Sequence, residues 1–410
     1  MKLTKSQKKA EKAFKNFLND PYKKCICLSG RPGTGKTFFI KEVIMKMVSK
    51  YYPLLTATTN KASVLLQGIT IFRAMGISVT QTNDTSEYTL NLKNLKSLQD
   101  SLIIIDEASM LDKQMLDIIL RHTPRCKIIF VGDMNQLPAV KCPANVFNTF
   151  PVVELTDVVR QKKADLLSCI EQAKDNISLV QAVLPAESPN VHIIRDDDEL
   201  QKILKTFTKD DRLLSYTNAE CVKYNCLFRV LNKLPGNFVE GDYAVSKSYC
   251  ETPGKYNKSS FYATEETIID AISEPHRVTF EGTQYDFFIR DVRFKNKASP
   301  FIMPENYEEY KKALNSIKNQ AITVQRAGTD PKNAKMLWRM YYFFKENMID
   351  LRGITACTVH ESQGSTYNRV IVNFDDIVHG SGITMNTKVR MLYVALSRAK
   401  EEIFIYTKRH

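Results

Sequence analysis

Gly30-Arg31-Pro32-Gly33-Thr34-Gly35-Lys36-Thr37 fits the pattern G-x-x-x-x-G-K-[ST], and its flanks supply the context that pattern needs. Upstream, Cys25–Ser29 is an apolar run of strand length. Downstream, Phe38–Lys50 places Phe39, Ile40, Val43, Ile44, Met47 and Val48 at helical spacing, with Lys41, Glu42 and Lys46 on the other side. A strand, a glycine-rich turn and a helix in that order make a phosphate cradle. Its glycines let backbone N–H groups wrap phosphate oxygens, and the helix N-terminus adds positive potential. Gly30, Gly33, Thr34 and Gly35 are then the cradle, Lys36 reaches the β- and γ-phosphates, and Thr37 ligates Mg²⁺.

Working outward, Leu54–Thr58, Leu102–Asp106 and Lys127–Gly132 read as further strands alternating with helical stretches. That is the pattern of an α/β fold with a parallel sheet covered by helices. Leu102-Ile103-Ile104-Ile105-Asp106-Glu107 is an apolar strand ending in two carboxylates. At a strand's C-terminal end, Asp106 faces the cradle and holds Mg²⁺, and Glu107 polarises the attacking water as a general base. A carboxylate beside the metal ligand favours rapid hydrolysis over slow switching or transfer to a second substrate.

A second set of strands comes later: Leu213–Tyr216, Ile354–Val359, Arg369–Phe374 and Ile403–Thr407. Between them, roughly Gly241 to Asn347 has a different character, with alternating runs at Arg277–Phe280 and Asp286–Arg290 and a helix-like segment at Glu305–Lys318. This reads as a small β-rich module inserted into a second α/β domain.

The 410 residues suit two or three domains, and 43% apolar with 25% charged residues excludes collagen-like and disordered chains. The 58 Lys and Arg against 45 Asp and Glu give a net charge of +13, which favours a polyanionic partner, nucleic acid first. Apolar runs such as Leu102–Ile105 are far short of the ~18 residues that cross a bilayer, and the Lys-rich opening lacks an apolar signal segment. The 9 scattered cysteines read as buried thiols in a reducing compartment, not as a zinc site. A soluble intracellular protein is expected.

Six segments in order then carry a resemblance to superfamily 1 helicases, and within them to the RecD and Dda-like 1B branch. They are Gly30–Thr37; Asp106-Glu107-Ala108-Ser109-Met110; Gly132-Asp133-Met134-Asn135-Gln136-Leu137-Pro138; Leu155-Thr156 with Arg160-Gln161; Thr358-Val359-His360-Glu361-Ser362-Gln363-Gly364; and Tyr393-Val394-Ala395-Leu396-Ser397-Arg398-Ala399-Lys400. The resemblance implies two RecA-like P-loop domains with ATP in the cleft between them and single-stranded DNA across the top. It divides the chain into a first domain at 1–152, a second at 153–240 and 348–410, and an SH3-like insert at 241–347. Within the first domain, 77–98 falls where such helicases carry a β-hairpin pin. Tyr88-Thr89-Leu90-Asn91-Leu92 fits its strand and Asn83-Asp84 its turn, the alternative being a plain surface hairpin.

Position by position, Gln7 resembles the glutamine that reads adenine, against the alternative of a surface glutamine on a Lys-rich helix. Gln136 resembles the γ-phosphate sensor, Arg160 and Arg398 the two arginines that reach that phosphate, and Gly364 joins the nucleotide-contacting set. A guanidinium fork suits phosphoryl oxygens whose charge must be neutralised. Thr58, Thr59, Phe72, Thr358 and His360 fall where the family contacts DNA, although Phe72 stands where His is usual. Glu361 replaces a frequent Lys or Arg, removing one phosphate contact, and Ser397 replaces a commoner Thr. In the insert, Lys247, Lys255, Tyr256 and Lys258 either line a DNA path or form a solvated face.

The implied activity is an ATP-dependent, 5′-to-3′ DNA helicase or translocase using ATP and Mg²⁺. The alternatives are an ATPase that remodels protein–DNA complexes without processive unwinding, or a P-loop kinase. The implied partners are single-stranded DNA and single-strand/duplex junctions, with single-strand-binding or replisome proteins beside them. A monomer in the cytoplasm, that of a bacterial host if phage-encoded, is expected.

Overall fold

The computed structural model describes residues 3–48, 51–81, 88–139, 142–158, 163–247, 249–252, 259–279, 286–328 and 330–409. The chain divides into two compact units, one made of Met1–Ile203, Asp210–Cys221 and Cys357–His410, the other of Leu204–Lys209 and Val222–Ala356.

The first unit opens on the helix Lys5–Asn19, started by a capping box in which Thr4 accepts from the Gln7 N–H and Gln7 returns a bond to the Thr4 N–H. Ala10, Phe14 and Phe17 form its buried stripe. Lys127 closes the other end: its buried ammonium donates to the carbonyls of Phe17, Asp20 and Lys23 and lies 4.8 Å from the Phe17 ring. A cation there satisfies carbonyls that the helix itself leaves unpaired.

Among the described residues, the strands that follow up to residue 155 are β1 (Cys25–Gly30), β2 (Tyr52–Ala57), β3 (Ile69–Thr70), β4 (Ser78–Gln81), β5 (Tyr88–Asn91), β6 (Ser101–Asp106), β7 (Lys127–Gly132) and β8 (Val152–Leu155). Six of them make one parallel sheet in the order β3-β2-β6-β7-β1-β8. β8 starts at Val152, runs on past the expected first-domain end at 152, and completes the sheet beside β1. The apolar runs of the central strands are near-continuous because both faces are covered. Ile26, Leu28, Leu102, Ile104, Ile129 and Val131 enter the core under the first helix, while Cys27, Ile103, Ile105, Ile128 and Phe130 enter the core on the opposite face. Each isoleucine fully buried this way contributes roughly 1.5–3 kcal/mol.

The helix after the glycine-rich turn differs from the expected regular one. It runs α over Lys36–Phe39, takes a π-turn at Ile40–Ile44, and returns to α over Met45–Met47. The wider turn keeps Phe39, Ile40, Val43 and Ile44 all buried, which an apolar spacing of three and four does not by itself distinguish from a plain helix. β4 and β5 pair antiparallel, from Ser78↔Asn91 to Gln81↔Tyr88. The Asn83-Asp84 turn expected at their tip lies outside the described residues.

The second sheet of this unit runs in the order Ala356–Thr358, Arg212–Ser215, Tyr367–Asn373, Ala399–Tyr406, Val191–Ile194. Tyr367–Asn373 pairs parallel with both neighbours, and Ala399–Tyr406 pairs parallel with Val191–Ile194. The helices Ala164–Leu179 and Met385–Leu396 pack on it around Leu166, Val370, Val372, Leu392 and Ile405.

In the second unit, an antiparallel sheet is ordered His276–Thr279, Asp286–Phe294, Glu266–Ile272, Tyr243–Ser246, Leu351–Gly353, with Phe301–Pro304 against Asp286–Phe294. The expected helix at Glu305–Lys318 is Tyr307–Ala327 instead, and a second helix, Pro331–Asn347, follows Gly328 and the Asp330 cap. The two share a core of Tyr310, Leu314, Ile317, Leu337, Tyr341 and Phe344. The segment expected to be mainly β therefore carries a helical hairpin too. Its stripe at Ala334, Leu337, Tyr341 and Phe344 was present in the sequence but masked by flanking aromatics. Lys255, Tyr256 and Lys258 lie outside the described residues.

Candidate active site

The glycine-rich turn sits between the all-buried β1 and the following helix, at the C-terminal edge of the first sheet. Gly35 has φ +82°, a backbone conformation that favours glycine, and a Cβ there would displace the Gln7 amide nitrogen, which lies 2.9 Å from that position. Gln7 is buried; it donates to the Thr34 carbonyl at 3.3 Å while its amide oxygen accepts from Thr4. Asp157 holds the start of that helix through the Ser6 N–H and hydroxyl, each at 2.8 Å, and these bonds keep its carboxyl below the usual range. The Lys36 ammonium donates within the turn, to the carbonyls of Gly30 at 2.6 Å and Arg31 at 3.2 Å, and Thr37 is exposed at the helix start.

Across from the turn, β6 delivers Asp106 and Glu107. Burial pushes the Asp106 carboxyl up, with Lys36 pulling it back. Asp106 Oδ1 accepts the Glu107 N–H at 2.9 Å. Glu107 adopts φ 52°, ψ 39°, a left-handed conformation costly for a side chain with a Cβ. Burial first, and Asp106 second, push its carboxyl up to about 7. One of its oxygens, Oε2, is buried with no hydrogen-bond partner.

The second sheet contributes the facing wall. Gly364, at φ +75°, brings its backbone against Glu107, where a Cβ would lie 3.7 Å from Oε1. Arg398 is 2% exposed and donates to the carbonyls of Val394 (3.0 Å) and Ser365 (3.2 Å) and to the Ser397 hydroxyl (2.8 Å). Burial lowers its pKa, and Glu107 is the strongest influence opposing that. Gln136 is buried with its Oε1 unpartnered, as are Gln363 Nε2 and Ser365 Oγ. Orphaned donors and acceptors contributed by both sheets suit a polar guest. A cleft of about 380 Å³ is lined among others by Arg31 and Gly33 of the glycine-rich turn and by Val158, Lys163, Ser397 and Lys400. Arg160 lies outside the described residues.

Two contacts between the sheets were not anticipated from the sequence. The Tyr393 hydroxyl donates to Asp133 Oδ2 at 2.7 Å, and Arg390 donates to the carbonyls of Met134 (2.8 Å) and Gln136 (3.1 Å). They pin the Gly132–Pro138 segment to the helix Met385–Leu396. Their sequence signal, Arg and Tyr three apart on a helix, is too common to single out.

The residues expected at DNA have other engagements here. The Thr58 hydroxyl donates to the Glu107 carbonyl at 2.9 Å, and Thr59 caps the helix Asn60–Leu66 through the Ala62 N–H. Phe72 packs half-buried against the first sheet's core. Thr358 and Glu361 exchange bonds, the Thr358 N–H donating to Glu361 Oε2 (3.1 Å) and the Glu361 N–H to Thr358 Oγ1 (3.2 Å). The unusual Glu361 thus closes a reciprocal side-chain-to-backbone turn after the strand Ala356–Thr358. His360 is half-buried, and burial lowers its pKa.

Comparison with known proteins fits this arrangement. A family model described as an AAA domain matches residues 2–187, and one described as a UvrD-like helicase C-terminal domain matches residues 353–406. The chain is 23% identical over 449 residues to the ATP-dependent DNA helicase dda of Enterobacteria phage T4, covering 98% of each. It is 34% identical over 145 residues to the RecBCD enzyme subunit RecD of Buchnera aphidicola, covering 28% of this chain and 23% of that protein. In fold it is similar to the Bacteroides Pif1 helicase crystallised with ADP-AlF3 and single-stranded DNA, with a TM-score of 0.54 and 19% identity over 99% of this chain and 92% of that one. Among the described residues, no helix is long and apolar enough to cross a membrane.

Proposed function

The chain belongs to the superfamily 1B helicases of the RecD/Dda/Pif1 type, and from that premise we propose that it hydrolyses ATP between its two parallel sheets to move 5′ to 3′ along single-stranded DNA and separate duplex. The observation that carries the proposal is the meeting at Glu107. A carboxylate with an unpartnered oxygen faces Lys36 and Asp106 from its own sheet and the Gly364 backbone and Arg398 from the other.

In this reading Lys36 exchanges the Gly30 and Arg31 carbonyls for the β- and γ-phosphate oxygens of ATP. Gly30, Gly33, Thr34 and Gly35 supply the cradle, and Gln7 braces it at Thr34 while facing the nucleotide. Thr37 and Asp106 are the residues that would hold Mg²⁺, whose charge neutralises the phosphate oxygens. Glu107 accepts the proton of the attacking water, and Gln136, whose amide N–H groups can donate to phosphate oxygens, senses the γ-phosphate. Arg398, with Arg160 as its partner, compensates charge developing on the transferred group. Because Arg398 sits on the second sheet, its engagement depends on closure of the cleft, so hydrolysis and domain motion are tied. Thr59, Phe72, Thr358 and His360 lie in the segments assigned to the DNA strand.

ATP turnover measured with and without single-stranded DNA tests this. Strong stimulation by DNA is expected; turnover indifferent to DNA, or transfer of phosphate to a small acceptor, would remove the helicase reading.

A further inference from the structure

Thr58 occupies a place where the sequence suggested a DNA contact, yet its N–H and its hydroxyl both donate to the Asp106-Glu107 pair. Its N–H donates to the Asp106 carbonyl at 3.1 Å, extending the β2–β6 ladder by one rung. Its hydroxyl donates to the Glu107 carbonyl at 2.9 Å, an acceptor shared with the Met110 N–H at 3.0 Å. With the Glu107 N–H held by Asp106 Oδ1, both polar groups of the Glu107 backbone are fixed from outside. The residue so fixed is left-handed without being glycine, so its conformation persists only while its surroundings impose it. On the other side, Thr58 is joined to Thr59, which caps the helix Asn60–Leu66.

We propose that Thr58 is a positioning residue for the general base: its hydroxyl holds the left-handed backbone that aims the Glu107 carboxylate, and through it the adjoining Thr59–Lys61 segment is mechanically linked to hydrolysis. This rests on the functional reading above. DNA lying along Thr59–Lys61 then acts on turnover through a hydrogen bond, without Thr58 touching DNA. A misplacement of about 1 Å at a reacting group can cost on the order of 10²-fold in rate, so a loss of about 10- to 100-fold is the expected scale.

The test is Thr58→Val, which keeps the shape and removes the hydroxyl, with Thr58→Ser as the conservative rescue. Maximal DNA-stimulated ATP turnover should fall about 10- to 100-fold in Thr58→Val and return in Thr58→Ser, while affinity for single-stranded DNA and KM for ATP stay within about twofold. In a Glu107→Gln background, Thr58→Val should cost no further rate, because the residue acts through Glu107. Weakened DNA binding with an unchanged maximal rate would overturn the proposal in favour of a direct DNA contact, and so would a full additive loss in the Glu107→Gln background. If Thr58→Val does not fold, Thr58→Ala replaces it under the same criteria. A wild-type chain without ATP turnover would instead remove the functional reading itself, which these variants then share.

Discussion

The wall around Glu107 and the segments assigned to DNA use the same kinds of side chain in opposite ways. At the wall, Glu107 Oε2, Gln136 Oε1, Gln363 Nε2 and Ser365 Oγ are buried and unpartnered. In the DNA-assigned segments, Thr58, Thr59 and Thr358 have their hydroxyls bonded within the protein. Leaving a buried polar group unpaired costs about 1–3 kcal/mol, so a cluster of such groups suits a guest that satisfies them. In the function proposed, nucleotide recognition draws on side chains held in reserve. Sequence-blind grip on a strand needs fewer of them, since backbone N–H groups, stacking and charge suffice.

That contrast can be broken by substitution, beginning where the loss should be greatest. Lys36→Ala should abolish ATP turnover while single-stranded DNA affinity, read by fluorescence anisotropy, stays near wild type; near-normal turnover would remove Gly30–Thr37 from the mechanism. Arg398→Ala should lower maximal turnover by about 10³-fold, the scale of a lost arginine finger, with a much smaller change in ATP affinity. A variant that lost ATP binding and kept its maximal rate would make Arg398 a ground-state contact only.

Smaller effects sharpen the comparison. Tyr393→Phe leaves buried Asp133 without its 2.7 Å partner and should lower stability by about 1–3 kcal/mol in a denaturant melt. An unchanged midpoint would show that water replaces the hydroxyl. Thr358→Val, which removes the hydroxyl that accepts the Glu361 N–H, should cost about 1 kcal/mol of stability. If it weakens DNA binding several-fold instead, Thr358 touches the strand and the contrast between the two regions fails at that position.

The parts of the site legible in the sequence are those whose chemistry is local. The glycine-rich turn with Lys36 and Thr37, and the strand ending in Asp106-Glu107, each fit in a window of a few residues. The flanking strand and helix patterns then follow from burial on both sheet faces. What the sequence concealed is set by pairings far apart in the chain. Arg390 meets the carbonyl of Met134 256 positions away, and Tyr393 meets Asp133 across 260. No periodicity encodes either. Thr58 shows a second limit, since a hydroxyl at a strand's end has the same signature whether it faces a phosphate or a neighbouring carbonyl. The π-turn at Ile40–Ile44 shows a third, because its apolar spacing also satisfies an ordinary helix.

Coupling of ATP hydrolysis to directed strand separation is tested most directly by strand displacement on duplexes carrying either a 5′ or a 3′ single-stranded tail. The wild-type chain should displace the strand of the 5′-tailed duplex with ATP, and neither a non-hydrolysable analogue nor Arg398→Ala should support it. Displacement from the 3′-tailed duplex alone would contradict the direction, and equal displacement with the analogue would contradict the coupling.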